Sequence, residues 1–209
     1  AAARLDFGGK AGAGQSLLQG LEAGNRVKFV LCQQRLQFAQ NRQHLRQRNL
    51  EDQYRCPALP ASPRKAVQLA LDLAQTALLE QLALVGSSLG GYYATWIAER
   101  LGCRAVLLNP AIDPARDLQA HIGRQPVFFS DAEIDFRPEY VGELRELDVP
   151  VTTPARYFLI AATGDTVIDY RMMVAKYHGA RHRVIEGSNH ELSDFAQYVD
   201  EVISFCGLE

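Results

Sequence analysis

The run of residues 82–96 constrains the fold more than any other part of the chain, because it combines an apolar strand, a tight turn and a helix. Residues 82–85 are all apolar, which predicts a short buried strand, and the proline-free run over 92–101 predicts a helix. The turn, residues 86–90, reads G-S-S-L-G and fits the G-x-S-x-G pattern. In a nucleophile elbow this order holds the central residue, here Ser88, in a strained conformation that lifts its side chain clear of the sheet.

Gly86 and Gly90 flank this turn, and without a Cβ at these positions the strand and the helix can pass close to each other. The pattern is weak by itself, since glycines also occur in ordinary strand–turn–helix connections. Its weight depends on whether a carboxylate and then a histidine follow Ser88, which is the chain order of a triad built on such an elbow.

Beyond residue 50, short apolar strands alternate with amphipathic helices, which is the pattern of a parallel, doubly wound α/β sheet. Ser62 and Pro63 predict the start of the first helix, as N-cap and first helical residue. Further strands are predicted at 104–109, 156–161 and 181–185, and further helices at about 170–178 and 193–206.

Residues 112–150 interrupt the alternation with aromatic side chains among acidic residues and prolines. We interpret this segment as an insertion over the strand ends. Such an insertion is often a lid or a substrate wall, and a packed surface loop explains it equally well.

Residues 1–50 differ in composition from the remainder. They contain eight Gln, six Gly and one clear apolar run, residues 27–32, and they carry eight Lys or Arg against two Asp or Glu. We therefore divide the chain into an atypical segment over 1–50, disordered or poorly packed, and one α/β domain over 51–209. A basic arm that binds nucleic acid is the alternative for the first segment.

The overall composition predicts a cytoplasmic protein with no nucleic-acid or membrane partner. The net charge of −2 argues against a nucleic-acid partner, and no apolar run reaches the ~18 residues of a membrane span. The N-terminus lacks the basic region followed by an apolar region that is typical of a signal peptide. The widely spaced cysteines indicate reduced thiols, and we expect no metal and no cofactor; they are Cys32, Cys56, Cys103 and Cys206.

Two carboxylates follow the strand predicted at 156–161, namely Asp165 and Asp169. A carboxylate in the loop at the carboxyl end of a strand is well placed to orient a catalytic base. Asp165 is the better candidate, because Asp169 has the position of a helix cap, although most loop aspartates are ordinary turn or cap residues.

His190 follows the strand predicted at 181–185 and is the best candidate for the base. The other histidines lie in the 1–50 segment, in the insertion or beside a helix–strand turn; they are His44, His121, His178 and His182. A serine, an acid and a histidine in this order, each at a strand end, indicate a nucleophile with its orienting acid and its base.

Four motifs closely resemble the YqiA-type esterases of the α/β-hydrolase superfamily. They are VGSSLGGYYAT at 85–95, LNPA at 108–111, TGDTVIDY at 163–170 and IEGSNH at 185–190, within a resemblance that covers about 54–208. The resemblance implies an α/β-hydrolase-like three-layer sandwich with a mainly parallel sheet, with Ser88 as nucleophile, Asp165 as acid and His190 as base. It implies hydrolysis of carboxylic esters, with acyl thioesters as a second substrate class to consider.

The chain departs from that family near its N-terminus. The family has an apolar strand that runs into His-Gly-Phe, whose loop supplies an oxyanion-hole N–H, whereas the apolar run here leads into Gln33 and Gln34. We expect the first strand to be missing or atypical, which leaves the N–H of Leu89 as the remaining donor. Losing one donor costs roughly 10²–10³ in turnover. The sequence therefore leaves open an active serine esterase, a non-catalytic protein of the same fold and, third, an interaction protein that uses residues 1–50.

Overall fold

The computed structural model describes residues 28–32, 54–126 and 133–207, and its centre is a six-stranded parallel sheet. The strands of this sheet are β1 (Lys28–Cys32), β2 (Tyr54–Arg55), β3 (Ala83–Ser87), β4 (Arg104–Leu108), β7 (Tyr157–Ala162) and β8 (Arg181–Ile185); β5 (Gly123–Pro126) and β6 (Glu133–Phe136) form a separate antiparallel pair. In space the strands of the large sheet follow the order β2-β1-β3-β4-β7-β8, and every neighbouring pair is parallel.

Six α-helices lie in the described part of the chain: α1 (Pro63–Ala74), α2 (Leu89–Leu101), α3 (Pro114–Asp117), α4 (Pro138–Glu146), α5 (Tyr170–Lys176) and α6 (Val199–Cys206). Ser62 caps α1 as predicted, since its Oγ accepts from the N–H of Lys65 at 3.3 Å. Gly102 ends α2 in the left-handed conformation, with φ 79°. Within the described ranges no helix has the length and apolarity that crossing a bilayer requires.

The central strands β3, β4 and β7 are buried on both faces, which explains why they are mainly apolar runs. Alternate residues such as Leu84, Leu107 and Leu159 pack with the buried faces of α1, α2 and α5. Their neighbours in the strands, for example Leu108 and Ile160, pack with α6 on the opposite face. The fold is the predicted three-layer α/β-hydrolase sandwich with a parallel sheet.

The strand that we expected to be missing or atypical is present as β1. It lies between β2 and β3, with Cys32 opposite Ser87 in parallel register, and so is paired on both sides. An apolar run in the middle of a sheet gains hydrogen-bonded neighbours on both sides, which its otherwise polar surroundings in the sequence did not suggest. The rest of residues 1–50 lies outside the described residues, and the division near residue 50 stays a prediction.

The insertion predicted over 112–150 holds α3, the β5–β6 pair and α4. Helix α4 packs against the core through Val141 and Leu144, and the hydroxyl of Tyr92 on α2 donates to the Leu144 carbonyl at 2.7 Å. The Glu143 carboxylate accepts a hydrogen bond from Ser62 Oγ at 2.6 Å, which ties α4 to the start of α1. This end of the insertion is therefore a packed layer on the sandwich, and a lid formed by the remainder stays a prediction.

Candidate active site

Ser88 lies between β3 and α2 with φ 52° and ψ −123°, a backbone conformation that costs a non-glycine residue ~1–3 kcal/mol. Its neighbours hold it there: its N–H donates to the Leu108 carbonyl at 3.0 Å, and its carbonyl accepts from the N–H groups of Gly91 and Ala111 at 2.9 and 3.0 Å. The hydroxyl makes no capping hydrogen bond to α2. The serine side chain is thus presented at the carboxyl edge of the sheet.

Glycines make this turn sterically possible. A Cβ on Gly86 would lie 2.7 Å from the Cα of Gly91 and closer still to the carbonyl of Gly90, so the strand can pass this close to the helix only without a side chain at Gly86. A Cβ on Gly91 would lie 2.7 Å from the Cβ of Pro110. The G-x-S-x-G pattern does not include Gly91; the doubled glycine at 90–91 was the available signal for it.

His190 lies in the loop after β8, with its side chain about 15% exposed. Its Nε2 is 3.1 Å from Ser88 Oγ and its Nδ1 is 2.7 Å from Asp165 Oδ2. Ser88, His190 and Asp165 come from the ends of β3, β8 and β7, so the parallel sheet brings together three residues that are far apart in the chain.

The side chain of Asp165 is fully buried, and hydrogen-bond donors from the protein take the place of water around its carboxylate. Its Oδ1 accepts from the N–H groups of Val167 and Ile168 at 2.8 and 2.9 Å, while Oδ2 faces His190. Burial acts to raise the pKa of this carboxyl, but the hydrogen bonds from His190 and from the two backbone groups outweigh it and leave the pKa below its ordinary value. Asp165 is therefore a carboxylate at neutral pH.

An ionised carboxylate can only accept hydrogen bonds, and this determines the tautomer of a neutral His190. The proton must be on Nδ1, where it is donated to Asp165. Nε2 then presents a lone pair toward the Ser88 hydroxyl, 3.1 Å away. In this arrangement the imidazole can accept the serine proton, and the imidazolium that results would face a negative charge.

Leu89 is the first residue of α2, and its side chain is buried. The N–H groups in the first turn of a helix have no intrahelical acceptor, and the helix dipole favours negative charge at this end. A developing oxyanion beside Ser88 would therefore meet a suitable donor in the Leu89 N–H. A second donor from residues 33–50 falls outside the described residues.

Asp169, the alternative acid, is the N-cap of α5. Its Oδ1 accepts from the Arg171 N–H at 2.9 Å, and Oδ2 pairs with the Arg171 guanidinium at 3.3 Å. His121 and His178 are exposed, and His182 Nε2 is 2.8 Å from the Tyr177 carbonyl. In the described ranges no group of His, Cys, Asp and Glu has the arrangement of a metal site. His44 lies outside those ranges.

Asn109, which the sequence did not single out as a site residue, follows β4 and is completely buried. Its side-chain amide is hydrogen bonded to the loop that carries His190 and to the end of β7. The only signal in the sequence was its position in the LNPA motif, between an apolar strand and a proline.

The sequence model of an uncharacterised protein family (UPF0227) matches residues 35–207. The match spans the elbow, the loop of Asp165 and the loop of His190. It also includes residues 35–50, which we had expected to lie outside the family.

Solved structures with the same fold come from varied organisms. The alpha/beta hydrolase domain-containing protein 10 from mouse has a TM-score of 0.61 at 13% identity, over 88% of this chain and 92% of that one. Est1E from Butyrivibrio proteoclasticus has a TM-score of 0.57 at 13% identity, over 85% and 84%. An esterase domain from Rhodothermus marinus has a TM-score of 0.55 at 15% identity, over 88% and 87%. At these identities the likeness establishes the α/β-hydrolase fold.

Proposed function

Because the chain belongs to the uncharacterised protein family UPF0227, which bears out the resemblance to YqiA-type esterases, we propose that it is a serine hydrolase that cleaves carboxylic esters. The observation that carries this proposal is the continuous contact from Asp165 Oδ2 through His190 to Ser88 Oγ, with distances of 2.7 and 3.1 Å. A hydroxyl is a poor nucleophile at neutral pH, and such a contact is the arrangement that activates it.

In the acylation step Ser88 Oγ attacks the ester carbonyl carbon while His190 Nε2 takes the hydroxyl proton. The carbonyl oxygen becomes an oxyanion, which the Leu89 N–H at the start of α2 would stabilise. When the tetrahedral intermediate collapses, the bond to the leaving group breaks and the imidazolium returns its proton to the departing alcohol. Asp165 stays ionised throughout and holds the ring in position.

Deacylation repeats these roles with water. His190 takes a proton from a water molecule, whose oxygen attacks the acyl carbon, and then returns a proton to Ser88 as the acid departs. The same sequence cleaves an acyl thioester, with a thiol as the leaving group, and thioesters are the second substrate class that we propose. Either substrate is a small molecule, and no step requires a metal or a cofactor.

The alternative is a non-catalytic protein of the same family. The observation that favours it is the sequence after β1, where Gln33 and Gln34 occupy the place in which the family has His-Gly. One missing oxyanion donor costs roughly 10²–10³ in turnover. The two candidates therefore differ in whether the serine reacts, and a direct probe of the serine can decide between them.

A fluorophosphonate probe tests the proposal, because it labels an activated serine without requiring the correct acyl chain. We expect the wild-type chain to be labelled and to hydrolyse p-nitrophenyl esters, and Ser88→Ala to lose both properties while keeping its circular dichroism spectrum. The matched control is Ser87→Ala, at the buried neighbouring serine, which should still be labelled. Labelling that survives in Ser88→Ala, or no labelling of the wild type, would reject the proposal.

A further inference from the structure

Asn109 is one of few polar residues in the described part of the chain that are completely buried. It follows the last residue of β4, at the carboxyl edge of the sheet, between the strand of Ser88 and the strand that leads to Asp165. Burying an amide is costly unless each polar atom has a hydrogen-bond partner, so the partners of this side chain indicate its role.

The side chain bridges two loops. Nδ2 donates to the carbonyl oxygens of Asn189 and His190, both at 3.0 Å. Oδ1 accepts from the N–H of Ala162, the last residue of β7, at 2.9 Å. Both amide protons therefore bind backbone carbonyls at or next to His190. The amide oxygen binds the last residue of β7, three residues before Asp165.

The backbone around Asn109 is tied to the elbow as well. The preceding residue, Leu108, accepts from the Ser88 N–H, and Ala111 donates to the Ser88 carbonyl, both at 3.0 Å. The N–H of Asn109 donates to the Ile160 carbonyl of β7 at 2.9 Å. One short segment thus contacts the backbone of Ser88, the backbone of His190 and the end of β7, three residues before Asp165.

From these contacts we infer that Asn109 is a positioning residue, which fixes the loop of His190 relative to Ser88 and Asp165. The inference rests on the proposed function, because positioning has a catalytic consequence only if His190 is the base. The ring of His190 must meet two partners at once, and misplacing a reacting group by about 1 Å can cost roughly 10²-fold in rate.

Asparagine suits this position for two physical reasons. Its φ of 41° is in the left-handed region, which Asn adopts more readily than most other residues. Its amide supplies two donors and an acceptor from one rigid group, which matches two carbonyls and one N–H. Aspartate keeps the acceptor without the donors, and alanine keeps neither.

The experiment measures kcat and KM for p-nitrophenyl esters, together with the proton NMR signal of the His190 Nδ1–H bonded to Asp165. Such a proton resonates far downfield and does not depend on turnover. For Asn109→Ala we expect kcat to fall about 10²-fold with KM nearly unchanged, and the downfield signal to be lost or broadened. A role in folding alone would lower the unfolding midpoint without this split between kcat and KM.

Tyr157→Phe is the matched control, because it removes a partly buried hydrogen bond at the opposite end of β7. The Tyr157 hydroxyl donates to Glu99 at 2.6 Å, far along the strand from Ala162. This variant should lose stability yet keep the wild-type kcat and the downfield signal.

Asn109→Asp is the second variant, and it decides the matter if Asn109→Ala does not fold. It retains the shape and the acceptor for the Ala162 N–H, and replaces Nδ2 with an oxygen that faces two carbonyls. A carboxyl that faces two carbonyls in a buried site costs stability, so we expect a protein that folds with a lower unfolding midpoint, a reduced kcat and a weakened downfield signal.

Wild-type kcat and an unchanged signal in the folded Asn109 variants would overturn the inference, and so would an equal loss in Tyr157→Phe. If the wild-type chain hydrolyses no ester, the proposed function fails by itself. The NMR signal then decides the positioning role: its presence in the wild type and loss in Asn109→Ala support that role, and its absence from the wild type overturns it.

Discussion

Gly164 lies against the backbone of the loop that carries His190, so closely that a Cβ added to it would be 3.0 Å from the carbonyl oxygen of Gly187 and nearer still to that of Ser188. The Gly164 N–H also donates to the Gly187 carbonyl at 2.8 Å. The loop of Asp165 and the loop of His190 therefore pack backbone to backbone, with no room for a side chain between them.

The first prediction follows from this contact. Gly164→Ala should push the two loops apart, because backbone atoms cannot move aside as the end of a flexible side chain can. Overpacking of this kind costs about 1–3 kcal/mol, and we expect kcat to fall at least about tenfold. Urea unfolding and p-nitrophenyl ester kinetics measure the two effects.

Gly142→Ala is the control for that prediction, since a Cβ there meets nothing within 4 Å. Gly142 is inside α4, where alanine is the better helix former by up to about 1 kcal/mol. This variant should be more stable than the wild type and equally active. An active, fully stable Gly164→Ala would contradict the close packing of the loops.

The sequence predicts most of this site because each candidate residue follows a segment that is recognisable as a strand. Ser88, Asp165 and His190 could be placed at the carboxyl edge of a sheet from local patterns alone. The contacts of Asn109 and Gly164 could not, since their partners are tens of residues away and depend on which strands are neighbours. The place of β1 in the sheet could not be predicted for the same reason, because strand pairing is not local and the short apolar run lies in a polar part of the sequence.

The second prediction separates the two candidate acids. Asp165→Asn should lower kcat by about 10³–10⁴-fold, because an amide at this position favours the wrong tautomer of His190 and leaves no charge to face the imidazolium. Asp169→Ala should leave kcat unchanged and destabilise the fold by about 1 kcal/mol, since it removes only the cap of α5. Steady-state kinetics and thermal unfolding of both variants check this.

Loss of activity in Asp169→Ala with a normal kcat in Asp165→Asn would exchange the roles of the two residues. The contacts argue against that exchange. Asp169 is hydrogen bonded to Arg171 on its own helix, whereas Asp165 Oδ2 is 2.7 Å from His190 Nδ1.

The third prediction concerns stability against pH. The pKa of Asp165 is lowered in the folded chain, whereas in the unfolded chain an aspartate titrates near about 3.9. Its carboxylate therefore stabilises the fold fully above that pH, and the stabilisation is lost as the pH falls through the lower, folded-state pKa. The difference in unfolding free energy between the wild type and Asp165→Asn should be largest near neutral pH and shrink below about pH 4.

Urea unfolding of the two proteins from pH 7 to pH 3 measures this difference. The control is Asp72→Asn, which removes the same charge from an exposed position on α1. Its unfolding free energy should stay within about 0.5 kcal/mol of the wild type. A difference for Asp165→Asn that grows as the pH falls would mean that the carboxyl is not held in its ionised form.

The last prediction concerns the oxyanion hole. Strand β1 is parallel to β3 and pairs Cys32 with Ser87, so the chain leaves β1 at the same edge of the sheet as Ser88. In the YqiA-type family the corresponding strand runs into His-Gly-Phe, but here Cys32 is followed by Gln33, Gln34 and Arg35.

We expect this segment not to supply the second backbone donor of the oxyanion hole, and the wild-type turnover to be weak even with an activated serine. Replacing these three residues with His-Gly-Phe should raise kcat by as much as about 10²–10³-fold, the contribution of one oxyanion donor. Ester hydrolysis by the wild type and the replacement variant, measured side by side, tests this. Equal turnover in the two proteins would show that the chain already has a second donor, and the prediction would then be wrong.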